Sequence, residues 1–142
     1  MPSIEGGGVE KNLFIVSNYL SSKINNVALI TCNSEYRKIF KGIDFICPKS
    51  NLWKKKSRIY KYFICLILLA KILLRRNNCL VLAFQANFYC TILSKLFGAN
   101  IIVRSNASPS GYSGSFLKKS LYKFIFSLAD DIIVNSYDFK SQ

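Results

Sequence analysis

Residues 80–103, LVLAFQANFYCTILSKLFGANIIV, contain one complete strand–helix–strand unit. Its ends, Leu80–Phe84 and Ile101–Val103, are continuous apolar runs, which is the pattern of strands covered on both faces. Between them Asn87–Leu96 has helical composition, and Gly98 follows where a glycine can close the helix. This order predicts two parallel strands joined by a right-handed crossover.

The same alternation continues on both sides of this unit. Further apolar strands are predicted at Val27–Cys32, Ile43–Cys47 and Ile132–Asn135. A helix is predicted at about Val9–Ser21, where Val9, Leu13, Val16 and Leu20 form one apolar stripe, and a second at Ile59–Leu74. A third helix, with Ser115 as its cap, is predicted from residues that would line one apolar face: Leu117, Leu121, Phe124, Ile125 and Leu128. The chain is therefore predicted to be α/β, with a Rossmann-like, doubly wound parallel sheet.

The first predicted strand is unusually short. Only Met1–Glu5 precede Gly6, whereas a strand usually has about five or six residues before its turn. At the other end, Ser136–Gln142 resemble the opening turn of a helix. We therefore expect residues 1–142 to be one domain without an internal boundary, with a truncated first strand and incomplete at both ends.

The chain is strongly basic, with 20 Lys and Arg against 7 Asp and Glu and a formal net charge of +13. Such an excess favours an anionic partner, but a coding bias toward Lys, Asn and Ile would produce the same charge. No nucleic-acid recognition motif accompanies it, so no nucleic-acid partner is expected.

The cysteines and the absence of histidine limit the possible chemistry. The 5 cysteines have no CxxC spacing and His is absent, so we expect neither a metal site nor a His-dependent catalytic constellation. We interpret the cysteines as small buried thiols in a reducing, cytoplasmic compartment.

A glycine turn, Gly6–Glu10 (GGGVE), joins the first strand to the first helix. Glycines let a ligand approach the backbone, and a helix N-terminus attracts anions, so this turn can bind a diphosphate. It fits neither G-x-G-x-x-G nor a P-loop. The alternative is a tight turn without a ligand.

Three segments in this order resemble the family 4 glycosyltransferases. Ser3–Lys11 resembles the family's opening with its Gly-Gly-x-Glu signature, and Ile101–Asn106 and Ala129–Ser136 resemble its later strands. The resemblance implies the N-terminal, acceptor-side domain of a GT-B enzyme of the hexosyltransferase type. It also implies retaining sugar transfer from a nucleotide-sugar donor to a glycan or lipid-linked acceptor in cell-surface polysaccharide synthesis. Gly7 and Gly8 would contact the donor diphosphate.

The chain departs from the family in two ways. Many members have a histidine after the strand that Ile101–Val103 resembles, where this chain has Arg104, Ser105 and Asn106. The donor-binding C-terminal domain, with its paired glutamates, lies outside these 142 residues. We therefore assign no catalytic residue, expect no cofactor besides the nucleotide-sugar substrate, and expect the chain alone to be inactive.

A polar loop, Arg104–Gly114, follows the strand Ile101–Val103. Open α/β sheets bind ligands at the carboxyl ends of their strands, so we predict acceptor binding by Arg104, Ser105, Asn106 and Tyr112. The alternative is a polar surface loop. Asp130 and Asp131, before the last strand, are interpreted as a solvated turn pair.

A basic segment enters the helix at Ile59–Leu74, with Lys54, Lys55, Lys56, Arg58 and Lys61. The apolar run that follows is too short to span a bilayer and contains Lys71. Two compatible readings remain: a helix on an anionic membrane surface, such as the inner face of the plasma membrane, and a helix packed on the sheet with a solvated basic entry. The first reading supports an alternative function as a non-catalytic membrane-surface module or a degenerate remnant of the enzyme.

Overall fold

The computed structural model describes residues 1–4, 6–40, 42–50, 53, 56–76, 78–105 and 116–134. The chain is α/β, as predicted, and all its strand pairs are parallel within that part. The contacts divide it into two compact units, Met1–Leu69 and Ala70–Gln142. The helices are α1 (Gly8–Lys23), α2 (Arg58–Leu73), α3 (Asn87–Leu96) and α4 (Phe116–Ser127), and the strands are β1 (Ala28–Ile30), β2 (Asp44–Ile46), β3 (Leu80–Ala83), β4 (Asn100–Ser105) and β5 (Asp131–Val134).

In the first unit, β1 lies between β2 and the N-terminal segment. It pairs with β2 in parallel, with Leu29 opposite Phe45. On its other edge, the Cys32 N–H donates to Pro2 O at 3.2 Å and the Met1 ammonium donates to Ile30 O at 2.6 Å. Both segments run in the same direction, so residues 1–4 align with β1 as a parallel strand would. The structure assigns no strand to residues 1–4, so the predicted first strand is present as a segment that lies along the edge of β1.

Aromatic and aliphatic side chains form the core of the first unit. The Phe14 ring centroid is 5.1 Å from that of Phe40, which is 5.6 Å from that of Phe45. Leu13 is buried on the predicted stripe of α1.

A short 3-10 helix, Ser34–Lys38, follows β1 and was not expected from the sequence. Its five residues are too few to produce a helical apolar period.

In the second unit, β4 is the central strand between β3 and β5. Val103 is opposite Ala83 on one side and Ile132 on the other. The side chains of Ile101 and Val103 are fully buried, and Cys90 and Phe126 pack against their cluster. Strands of parallel sheets are typically covered on both faces, and such covering favours apolar residues in succession, as in this strand.

The outer elements of the second unit keep apolar side chains at the surface. Of the five residues predicted to line one face of α4, Ile125 is buried. The exposed ones are Leu117, Leu121, Phe124 and Leu128. Ser115, the predicted cap, lies outside the described residues.

Asp130 is exposed, as expected of a solvated turn acid, and it also has a structural role. Its carboxylate accepts from the Lys95 ammonium at 2.7 Å and from the Ile101 N–H at 2.6 Å. The hydrogen bond from Lys95, followed by that from Ile101, lowers the pKa of Asp130. A lowered carboxyl pKa means that this contribution to stability is present above the ordinary Asp range and is lost as the pH falls through the folded-state pKa. Asp131 begins β5 and is exposed.

Candidate functional site

The glycine turn lies at the start of α1 and is exposed to solvent. Gly6 has φ of +85°, a conformation that glycine adopts without strain. Gly7 is the N-cap in an extended conformation, and Gly8 is the first helical residue. Because Gly7 has no side chain to cap the helix, the first amide N–H groups of α1 are left to solvent or to a ligand. This is where the sequence places the diphosphate site.

Glu10 closes one side of this turn. A Cβ atom on Gly7 would lie 2.8 Å from Glu10 Oε2, and Glu10 itself is buried. A carboxylate in the first turn complements the positive end of the helix dipole and disfavours a second anion beside it. At Gly8 a Cβ would meet no described heavy atom within 4 Å. A Cβ at Gly6 would also meet nothing within 4 Å, so the turn is open at Gly6 and Gly8 and closed by Glu10 at Gly7.

Arg104 and Ser105 are the last two residues of β4, and both are buried. The expectation that they begin a loop is wrong, because the strand continues through Ser105 and pairs with β5 as far as Val134. The Arg104 guanidinium carbon lies 5.6 Å from the centroid of the Phe84 ring, in a cation–π arrangement. Both residues thus lie at the carboxyl end of the central strand, as predicted.

The β3–α3 turn contributes further polar groups to this sheet edge. Asn87 Nδ2 donates a hydrogen bond to Arg104 O at 2.7 Å, which links the start of α3 to the end of β4. Within the described residues, the buried Gln85 Oε1 and Asn87 Oδ1 accept no hydrogen bond. Buried acceptors are normally satisfied, so these two suit a ligand that brings hydroxyl donors.

This turn also has a strained backbone. Ala86, the N-cap of α3, has φ of +56°, a left-handed conformation that residues with a Cβ seldom adopt. Such outliers persist where the surrounding structure holds them. Here the flanking Gln85 and Asn87 are the residues that carry the buried acceptors.

Several predicted site residues fall outside the described part of the chain. Asn106 and Tyr112, the other two predicted acceptor-binding residues, belong to this group, and so do Lys54 and Lys55 of the basic segment. Their predicted roles stay predictions.

The remaining basic residues surround the start of α2. Lys56 and Arg58 are exposed, and Lys61 is half-buried. Large apolar side chains are exposed on the same first turns, with 78% of Ile59 and 65% of Phe63 accessible.

No helix among the described residues is both long and apolar enough to cross a bilayer. Nor do those residues contain a group of three or more metal-ligating side chains.

Comparisons with family models, with curated proteins and with solved structures gave no match. The resemblance to the family 4 glycosyltransferases therefore depends on the motifs in this sequence alone.

Sequence reasoning missed the β3–α3 turn. Gln85 and Asn87 closely follow the apolar run Leu80–Phe84, which is the same signal that identified Arg104. Their position at the start of a well-formed helix hid that signal. The packing of Glu10 against Gly7 was also missed. Sequence spacing alone does not show whether an acidic side chain in the first turn points into solvent or back toward the N-cap residue.

Proposed function

We propose that this chain is the acceptor-side α/β domain of a retaining glycosyltransferase with GT-B architecture. The enzyme transfers a sugar from a nucleotide-sugar to a glycan or lipid-linked acceptor. The observation that carries the proposal is the start of α1, which is exposed, uncapped and open at Gly8. A helix N-terminus of this kind, directly after a parallel strand segment, is a recurrent binding site for diphosphates.

The proposed roles follow the chemistry of each group. Amide N–H groups at Gly7 and Gly8 donate to the donor diphosphate, and Glu10 fixes the side from which it enters. Arg104 and Ser105 bind the acceptor, since a guanidinium and a hydroxyl suit phosphate and sugar oxygens. Asn106 and Tyr112 are proposed to join them. No dedicated base is assigned, because in retaining front-face transfer the leaving diphosphate can accept the proton.

Amide chemical shifts of the wild-type chain test both sites. We expect inorganic diphosphate to shift the amide signals of Gly6, Gly7 and Gly8, because an anion at a helix N-terminus is bound by those N–H groups. Glucose 1-phosphate, a soluble stand-in for the acceptor, is expected to shift the signals of Arg104 and Ser105. The measurement is a two-dimensional ¹H–¹⁵N titration at low salt, with sodium chloride at matched ionic strength as the control.

Two outcomes contradict the proposal. One is a diphosphate titration that leaves the three glycine signals in place while moving lysine-rich surface signals. The other is sugar transfer by the chain alone, because the proposal assigns donor binding largely to a second domain.

A second candidate function, membrane-surface binding, is favoured by the start of α2. Lys56 and Arg58 are exposed beside the apolar side chains of Ile59, Tyr60 and Phe63. Adjacent basic and apolar side chains on a short helix bind anionic bilayers, the charges to headgroups and the apolar groups to the acyl boundary. This function is compatible with the first, because lipid-linked acceptors lie at membranes.

Removing both described charges from this surface is expected to weaken vesicle binding. A basic residue near anionic lipid contributes about 1 kcal/mol, so Lys56→Gln with Arg58→Gln is expected to lower the partition coefficient by about tenfold or more. Co-sedimentation with phosphatidylserine-containing vesicles measures it, and added salt should reduce the difference. Lys71→Gln with Arg75→Gln removes two exposed charges elsewhere and is the control. Equal losses in both double variants would assign the binding to net charge alone.

A further inference from the structure

Two cysteines from distant parts of the first unit form a contact pair. The Sγ atoms of Cys32 and Cys65 are 3.7 Å apart, although 33 residues separate them in the chain. Cys32 lies two residues after the end of β1, beside the N-terminal segment, and Cys65 lies in the middle of α2. Both side chains are buried, with 3% of Cys32 and 7% of Cys65 exposed.

The surroundings make the two thiols unequal. The hydrogen bond between them is the main cause that lowers the pKa of Cys32; burial opposes this effect, and the nearby Lys61 ammonium adds to it. The same hydrogen bond raises the pKa of Cys65, and burial raises it as well. Cys32 is therefore the thiol that ionises first, and Cys65 keeps its proton and donates it to the Cys32 sulfur. A thiolate stabilised by a neighbouring thiol is the nucleophile in dithiol chemistry.

The other cysteines have different partners. Cys79 Sγ donates to Arg76 O at 3.4 Å, and Cys90 Sγ donates to Gln85 O at 3.8 Å. Burial is the main cause that raises the pKa of Cys47, which keeps its thiol protonated. Cys32 Sγ likewise lies 3.8 Å from a carbonyl oxygen, that of Lys61, and it has in addition the Cys65 sulfur at 3.7 Å.

We propose that Cys32 and Cys65 are a modification site, a dithiol that small hydroperoxides convert to a disulfide. The inference is independent of the proposed sugar transfer. Proximity of the sulfur atoms supplies the resolving thiol, and burial restricts the oxidant to molecules of about the size of hydrogen peroxide.

The chemistry needs no group beyond the two thiols and the peroxide. The Cys32 thiolate attacks one peroxide oxygen, the O–O bond breaks, and hydroxide leaves and takes up a proton to form water. The product is a sulfenic acid on Cys32. The Cys65 sulfur then attacks the sulfenic sulfur, the S–O bond breaks, and a second water leaves with the Cys65 proton. Two electrons pass from the two sulfur atoms to one peroxide.

The disulfide would join the carboxyl end of β1 to the middle of α2. It would close a loop across the 33-residue separation, and a cross-link of this length restricts the unfolded chain more than the folded one. The oxidised chain is therefore expected to unfold at a higher temperature than the reduced chain, and dithiothreitol is expected to reverse the difference.

Peptide mapping of the wild-type chain after limited hydrogen peroxide tests the site. The expected product is a cross-linked pair of peptides containing Cys32 and Cys65, lighter than the reduced pair by two hydrogen atoms and separated by dithiothreitol. Three results would overturn the proposal: a cross-link from Cys32 to Cys47, sulfinic or sulfonic acid on Cys32 without a cross-link, and unmodified Cys32 when Cys79 has been oxidised.

Single variants identify the order of the steps. Cys65→Ser is expected to stop at sulfenic acid on Cys32, which dimedone traps, whereas Cys79→Ser is expected to keep the cross-link. Dimedone labelling of Cys65 in Cys32→Ser at the same rate would contradict the assignment of Cys32 as the nucleophile. The wild-type mapping needs no variant, so the site is tested even if a serine variant fails to fold.

Discussion

Replacing Ile101 by alanine is expected to lower the free energy of unfolding by about 2–5 kcal/mol. Ile101 is completely buried in the central strand of the second sheet, in one cluster with Ala83 and Val103. The variant loses the transfer free energy of the removed methyl and methylene groups and leaves a cavity that a paired strand cannot collapse into. Urea unfolding followed by far-ultraviolet circular dichroism measures the change.

Two control variants separate packing from composition. Ile101→Val removes a single methylene and is expected to cost about 0.5–1.5 kcal/mol. Ile132→Ala is the same substitution on the neighbouring strand β5, where 46% of the Ile132 side chain is exposed. Its expected loss in the free energy of unfolding is about 1 kcal/mol or less. Equal losses for Ile101→Ala and Ile132→Ala would contradict the placement of the core on β4.

The strands of this fold were largely predictable because their signal is local. The run at Leu80 was predicted as a strand and forms β3, and α3 begins and ends at Asn87 and Leu96 as predicted. Buried parallel strands need apolar residues on both faces, so consecutive residues carry the information. The exception is β4, where Arg104 and Ser105 are polar yet continue the strand.

Contacts between residues distant in sequence could not be predicted. The bond from Ile101 to Asp130 spans 29 residues, and neither residue type indicates the other. The contact between Cys32 and Cys65 is of the same kind. Local sequence patterns indicate whether a segment forms a helix or a strand, whereas contacts between distant residues depend on how those segments pack together.

The candidate site was predictable in position but not in detail. Arg104 and Ser105 lie at the carboxyl end of a parallel strand, where ligands commonly bind, but they end β4 and do not begin a loop. The sequence did not indicate the Phe84 ring beneath the guanidinium or the link from Asn87 to Arg104 O. Those details depend on how far β4 extends beyond the end of β3, which the register between the two strands determines.

The glycine turn allows stability and ligand binding to be changed in opposite directions. Gly8 is helical, its φ is not positive, and a methyl group there meets open space. Gly8→Ala is therefore expected to leave the fold unchanged or to stabilise it by up to about 1 kcal/mol, since alanine is the better helix former. The same methyl group occupies the open side of the turn, where the diphosphate is proposed to enter.

Gly7→Ala is the matched control at the adjacent position. Its methyl group would lie 2.8 Å from Glu10 Oε2, so that carboxylate must move. Alanine is also a poorer N-cap than glycine, and a loss of about 1 kcal/mol in stability is expected. The two alanine variants should thus shift the melting temperature in opposite directions or by clearly different amounts, which circular dichroism measures.

Substitutions at Gly8 are expected to weaken the binding of inorganic diphosphate, although they change the stability of the fold little. Blocking charge-assisted hydrogen bonds from backbone amides costs about 1.5–3 kcal/mol, so Gly8→Val is expected to weaken affinity by about tenfold to a hundredfold, and Gly8→Ala by less. Titration calorimetry at low salt measures the affinity, and the melting temperature of the same samples shows that each variant is folded. Wild-type affinity in a folded Gly8→Val chain would remove the diphosphate from this turn. A loss of affinity in Gly8→Val alongside a wild-type melting temperature would instead locate the bound anion at the open side of α1, because no described side chain lies there to transmit a structural effect.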